Sequence, residues 1–460
     1  MPLSAIRPHI KPTLLLAYPV VLSQLGHVLV NVCDSVMVGR TGTIPLAAVS
    51  LSVSVSTVVM VLGLGLSMGI TPLVAAADGK RDLPRLGELL VSGVLLSSLA
   101  GLVLGAVGLL IAPLLPYFHQ PAAVVKLAAP FVRVIFLSFL PLMIFQGFRQ
   151  FAEGLGLTRQ AMLLSLMANV VNAFLCYALI FGHFGAPALG MLGAAWATVI
   201  SRVLMALLMG VYVLRAERLR PYREAAGSWL RLRGDTIRRL LGIGLPIGVQ
   251  MMFEMGAFSF SAIMIGWLSA TALAAHQIAI NIASVTYMAA SGIAAAATIR
   301  VGNLRGLGDA MGARQAGFTA YTLTFLFMSI MGLLLIAGRH YIPHFYSPNG
   351  KDDPAVMAQA ATLLLIAALF QISDGLQVVG LGALRGLEDV KVPSVVALLA
   401  YWAVALPLGY GLGFGLKLGS MGVWIGLLSG LTTVAIVLLW RFRQHSAVPA
   451  LVNEAAVVVR

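Results

Sequence analysis

Cysteine is nearly absent: 460 residues hold two, Cys33 and Cys176, each inside an apolar run. That excludes a disulfide framework and any cysteine spacing of a zinc site. Charge is scarce as well. Only 10% of residues are Asp, Glu, Lys or Arg and 60% are hydrophobic, where soluble domains carry about 25% charged residues. No soluble core hides that much apolar surface, so lipid must be part of the solvent. There is no HExxH pair, no nucleophile elbow and no phosphate-cradling glycine loop followed by Lys. Known catalytic signatures are therefore missing, and an enzyme is not expected.

What the chain has instead is length in its apolar runs. Twelve reach the roughly 20 residues that a spanning helix needs: approximately 13–38, 46–73, 87–115, 127–150, 160–182, 188–214, 238–267, 273–299, 316–338, 357–384, 393–415 and 420–440. They are too long and too continuously apolar for barrel strands, which alternate. In lipid each helix satisfies its own backbone hydrogen bonds. The first run is too long for a signal peptide and is expected to be a retained helix.

Thirty Lys and Arg against 16 acids give a net charge of +14. Twenty-three of the basic residues fall at the N-terminus, the even loops and the C-terminus; six fall in or beside the odd loops. The positive-inside rule then places both termini in the cytoplasm of a cell with this chain in its inner membrane. The basic residues are scattered along loop rims rather than gathered in a patch, which argues against nucleic acid as a partner. Membrane lipids are the expected partner of the Arg-rich stretch RAERLRPYREAAGSWLRLRGDTIRR, and a monomer is expected.

That stretch divides the spans six and six. Sliding the second half over the first by 227 positions aligns Pro19 with Pro246, Met37 with Met264, Leu46-Ala47-Ala48 with Leu273-Ala274-Ala275, Gly65 with Gly292 and Asp82 with Asp309, without a gap. An even number of spans per half gives both halves one topology, so the repeat axis runs along the membrane normal. The expected fold is all-α: twelve transmembrane helices in two six-helix lobes. The lobes are 1–214 and 238–443, with a linker at 215–237 and a tail at 444–460. Transporters of this build place substrate between repeats near the midplane.

Three acids lie inside spans: Asp34, Glu254 and Asp374. A charge at the bilayer centre costs between about 3 and 10 kcal/mol, so such a group faces a cavity, a partner or an ion. Arg202, the one intramembrane arginine, is a candidate partner, but one cation cannot neutralise three acids. Burial favours the protonated form of a carboxyl, and paired carboxylates also suit a small hard cation. Glu254 and Asp374 are therefore candidate sites for H+ or Na+. Glu254 aligns with His27, a second candidate proton handle or a packed histidine bonded to a neighbouring helix. Gln250, Glu254 and Phe258 are four apart and share a helix face. Phe253, Met255 and the other Met and Phe residues around Glu254 suit broad apolar cations. Gln277 and Tyr287 add polar groups on the eighth span, and Pro19, Pro141, Pro246 and Pro407 are candidate bends.

CDSVMVGRTG, NAFLCYALIFG, PIGVQMMFEMGAFSF, AAHQIAINIASVTYM and DGLQVVGLGALRGLEDVKVPS lie along nearly the whole chain. With these segments it resembles the multidrug and toxic compound extrusion transporters, in their NorM-like branch. The resemblance implies export of cationic drugs or dyes by sodium or proton antiport, with no cofactor besides the coupling ion. It carries the family's membrane carboxylates to Asp34, Glu254 and Asp374 and its fifth-helix asparagine to Asn172. Three positions depart. Cys176 stands where many relatives have Asp or Asn. Phe370 stands where some sodium-coupled relatives have Tyr. GLEDVK replaces the usual GxGDTK. Export of organic cations is the leading expectation; a flippase of lipid-linked sugars, a membrane enzyme and a channel are the alternatives. Acids outnumbering basic residues in the spans point to cationic cargo.

Overall fold

The structure is a computed structural model that describes residues 3–118, 120–226, 233–346 and 353–447. Part of the expected linker (227–232) and the expected tail from 448 onward lie outside the described residues. Among the described residues all regular structure is helical, and twelve segments are long and apolar enough to cross a membrane. Each expected run coincides with one of them, with helix ends extending up to about ten residues beyond the apolar run. In chain order they are α1 (Leu3–Gly39), α2 with α3 (Thr43–Met68, Ile70–Gly79), α4 (Leu83–Ile111), α5 with α6 (Ala122–Leu137, Phe139–Gly154), α7 (Thr158–Phe181) and α8 (Met191–Arg215). The short α9 (Arg220–Ala226) does not span. The second six are α10 (Gly234–Leu268), α11 (Ala270–Gly306), α12 (Ala310–Gly338), α13 (Pro354–Gly386), the pair α14 and α15 (Lys391–Leu399, Leu406–Tyr410), and α16 (Ser420–His445).

Prolines explain where spans break. Pro72 and Pro141 lack the N–H that would meet the carbonyl four residues earlier. Just after each orphaned carbonyl the chain tightens, with Gly69 N bonded to Leu66 O at 3.3 Å and Ser138 N to Ile135 O at 3.1 Å. The eleventh span breaks differently. Ahead of Pro407 it widens into a π turn at Ala400–Ala405, and a second follows at Gly411–Gly415. By contrast α1 and α10 run unbroken through Pro19 and Pro246.

The repeat is visible in local structure. Asp82 accepts from Arg85 N at 3.0 Å, and its repeat mate Asp309 accepts from Gly312 N at 2.7 Å. Each is an N-cap with φ near −84°, a device worth about 1 kcal/mol.

Packing divides the chain into two compact units, Leu22–Met252 and Met1–Val21 with Phe253–Arg460. In the first unit, α2 and α10 cross backbone to backbone. A Cβ on Gly65 would lie 2.2 Å from Gly248 Cα, and one on Gly244 would lie 2.2 Å from Leu66 O. Each span brings two glycines four apart, Gly65 in α2 and Gly69 at its break against Gly244 and Gly248 in α10, the small-residue spacing that membrane helices use for close approach. Nearer the start of α10, Arg85 Nη1 donates to Thr236 Oγ1 at 2.7 Å and Thr236 donates to Glu88.

The second unit repeats that crossing with α1 on α11. A Cβ on Gly292 would lie 2.4 Å from Val21 Cγ2 and 3.0 Å from Ala17 O. These are the repeat mates of Gly65, Gly248 and Gly244. The polar pin recurs too: His9, mate of Thr236, meets Gln315, mate of Glu88, at 3.2 Å. Arg300 donates to His9 Nδ1 at 2.6 Å, so the ring hydrogen sits on Nε2 and reaches Gln315. Further along this unit α13 lies against α11, with Thr298 Oγ1 donating to Gly382 O at 2.8 Å. That contact anchors the helix that carries Asp374.

Candidate functional site: a carboxylate centre inside the spans

In the unit that contains Phe253–Arg460, α10 presents Glu254 to α13 and to the π turn of the eleventh span. Tyr401 Oη lies 2.9 Å from Glu254 Oε1 and 2.7 Å from Gln377 Oε1. Gln377 Nε2 donates to Glu254 Oε1 at 3.1 Å. These contacts form a triangle whose hydrogens can be counted. Tyr401 has one, the Gln377 amide can spend one on this triangle, and an ionised Glu254 has none. Three contacts thus share two hydrogens. Flipping the Gln377 amide moves the deficit to another edge and does not remove it. One proton on Glu254 closes all three.

Asp374 lies one turn before Gln377 on α13 and is only 6% exposed. Among the described residues nothing hydrogen-bonds to its carboxylate, and its electrostatic neighbour is Glu254. Tyr287, Tyr401 and Arg385 also lie within electrostatic reach of Glu254. One turn before Asp374, Gln371 is satisfied differently. It accepts from Thr286 Oγ1 at 3.0 Å and donates to Met328 O at 3.2 Å. That lock holds α13 against α11 and α12, so the centre rests on a rigid shelf. Phe258, one turn after Glu254, packs on the Tyr401 ring with centroids 5.8 Å apart. Glu254 and Phe258 therefore share the face that their spacing indicated.

The other expected residues are placed as follows. Phe253 is half-buried, and its carbonyl accepts from Trp402 Nε1 at 3.1 Å. Met255 is half-buried on the same helix, and Gln277 is exposed. Phe370 is 1% exposed. It sits between Phe258 and Trp424 with centroids at 6.1 and 5.2 Å, and as core it offers no free face to a ligand.

Asp34, Asn172 and Gln250 belong to the unit Leu22–Met252. There Cys176 donates its thiol to Asp34 Oδ1 at 3.1 Å and lies 3.9 Å from Asn172 Oδ1. The cysteine thus takes part in this first-half cluster as a weak donor. Gln250 is buried. Arg202 does not pair with a carboxylate among the described residues. It donates to Ser138 Oγ at 2.6 Å and lies over the Phe139 ring. His27 makes no hydrogen bond among the described residues, unlike the bonded histidine that was one expectation, although Arg149 and Arg202 act on it electrostatically. Arg149 itself is neutralised by Glu153 at 2.7 Å.

Sequence reasoning missed Tyr401 and Gln377. Gln377 carried a signal: it follows Asp374 by three residues and so shares its helix face. Tyr401 carried only its hydroxyl in an apolar run.

Twelve apolar helices with an ionisable centre inside them define a multi-pass membrane protein built as transporters are. Comparison with known proteins narrows the class. The family model described as MatE matches residues 19–178 and 246–411. The chain is 38% identical over 444 residues to the multidrug resistance protein NorM of Burkholderia vietnamiensis, covering 95% of each. It is 38% identical over 441 residues to a probable multidrug resistance protein NorM of Rhodopseudomonas palustris, covering 96% of this chain and 93% of that one. The crystal structure of the eukaryotic MATE transporter AtDTX14 has the same fold, with a TM-score of 0.84 at 22% identity over 96% of this chain and 98% of that chain. This chain belongs to the MatE family.

Proposed function

We propose that the chain is a multidrug exporter that antiports organic cations against protons at the Glu254 and Asp374 centre. Its names aside, the relatives' family supports efflux; the centre supports the ion. The observation that carries the reading is the hydrogen deficit around Glu254. A proton completes the triangle with Tyr401 and Gln377, while Asp374 remains as an acid without a hydrogen-bond donor. Loading the proton lowers the negative charge of the centre and weakens its hold on a cationic guest. Losing the proton restores that hold. Competition for one counter-charge is sufficient for exchange, and the membrane potential adds about 2.3 kcal/mol per charge per 100 mV.

Sodium is the second reading. Glu254, Asp374, Tyr287, Tyr401 and Gln377 offer oxygens in one region, and the unpartnered Asp374 favours a metal ligand there. Phe370, lacking an oxygen, weighs against a site built as in sodium-coupled relatives. The two six-helix lobes would alternate access to the cytoplasm and the far side. The loop distribution of Lys and Arg supports an inner-membrane location with both termini cytoplasmic.

Purified protein in proteoliposomes separates the readings when a pH gradient and a sodium gradient are imposed in turn on dye efflux. Efflux driven by the pH gradient and lost in Glu254→Gln is expected. A Glu254→Gln protein that still exports dye at the normal rate would remove this acid from the mechanism.

A further inference from the structure

The π turn of the eleventh span grips α10 with two consecutive side chains. Tyr401 reaches the Glu254 carboxylate at 2.9 Å, and Trp402 Nε1 donates to the Phe253 carbonyl at 3.1 Å. The Trp402 ring also stands edge-on to Phe253, with centroids 5.9 Å apart and planes at 86°. A regular α-helix points neighbouring side chains about 100° apart. Here Leu406 N bonds to Tyr401 O, five residues back, and Pro407 has no N–H to restore the α register. The wider turn narrows the angle between neighbours, and both fasten to adjacent residues of one helix.

Trp402 is not placed as a member of an interfacial belt, where membrane tryptophans gather. It lies near the middle of the 25-residue span Lys391–Gly415 and is 40% exposed. An indole N–H at that depth needs an acceptor inside the protein, and the Phe253 carbonyl is the one it has.

We propose that Trp402 is a positioning residue for the coupling acid: it holds the main chain at Phe253 so that Tyr401 keeps its bond to Glu254. This rests on the function proposed above. Tyr401 closes the triangle that the driving cation completes at Glu254 and so helps to hold that cation. Loosening the Trp402 contact should weaken that hold and lower the apparent affinity for the driving cation.

The test is Trp402→Phe in proteoliposomes, reading the driving-cation concentration that gives half-maximal dye efflux. That variant keeps a ring for Phe253 and loses only the donor. A shift of about fivefold toward weaker apparent affinity is expected, from the net worth of one neutral hydrogen bond. Trp402→His, which retains a ring N–H, should recover part of it. In a Tyr401→Phe background, Trp402→Phe should add almost nothing, because both act through one bond. An unmoved half-maximal concentration, or full additivity in the double variant, overturns the positioning role even if heat stability falls. A normal cation dependence beside an inactive Glu254→Gln overturns this role alone; export by Glu254→Gln overturns both proposals.

Discussion

Gly65→Ala tests the α2–α10 crossing most directly. The added Cβ would lie 2.2 Å from Gly248 Cα and 2.5 Å from Gly248 N, where ordinary contact begins at 3.4 Å. The shortfall is about 1.2 Å against backbone, which cannot rotate away as a side chain can. The two helices must separate and give up packing on both sides of the crossing. Overpacking of this kind costs about 1–3 kcal/mol, and against backbone the upper end applies, so about 2 kcal/mol of net loss remains after the ~1 kcal/mol that Ala gains over Gly in a helix. Gly242→Ala on the same α10 is the control. Nothing lies within 4 Å of its added Cβ, so the gain in helix propensity should appear as stabilisation. Gly292→Ala should fall between them, since its nearest obstacle, 2.4 Å away, is the side-chain carbon Val21 Cγ2. Heating the purified proteins in detergent and following the monodisperse fraction by size exclusion gives the ranking. If Gly65→Ala melted with Gly242→Ala, the crossing would be looser than described and the reasoning wrong.

Two more changes probe the centre and its support. Tyr401→Phe opens the triangle that a proton on Glu254 closes, a neutral hydrogen bond worth about 0.5–1.5 kcal/mol; at 1.4 kcal/mol per decade the apparent affinity for the driving cation should fall about two- to tenfold in the efflux assay, and an unchanged affinity would sever Tyr401 from coupling. Glu388 holds a left-handed backbone at φ 60°, a conformation that favours glycine, so Glu388→Gly should relieve backbone strain of about 1 kcal/mol; a lower melting point would mean that the glutamate side chain contributes more than the strain takes away.

The spans were legible because membrane thickness writes itself into run length. The break at Ser138 follows from Pro141, a candidate bend; the break at Gly69 lies three residues before Pro72, which was not among the candidates. Glu254 and Asp374 were legible for a different reason: carboxylates in an apolar run are too costly to be accidental. Their surroundings were not legible. Whether Arg202 meets an acid or the Ser138 hydroxyl depends on how α8 turns against the bend at Ser138. Phe370 stands one turn before Asp374, yet it packs in the core beside Trp424, and nothing in its local sequence says so. The partnership of Tyr401 with Glu254 joins residues 147 apart through a π turn, and no local pattern announces either the turn or the bond.

The way the packing units cut the chain has a consequence for its making and its origin. Residues up to Val21 pack with the part that begins at Phe253, while α10 up to Met252 packs with the earlier spans. Each half therefore lends an arm to the other. A ribosome that has finished six helices has completed neither unit: one awaits Gly234–Met252, and the other has delivered its first arm long before the body it belongs to. Cutting the gene at the linker should yield two fragments that are unstable alone and competent only when made together. The single-repeat ancestor implied by the duplication would have met the same requirement as a pair of identical chains trading their leading helices.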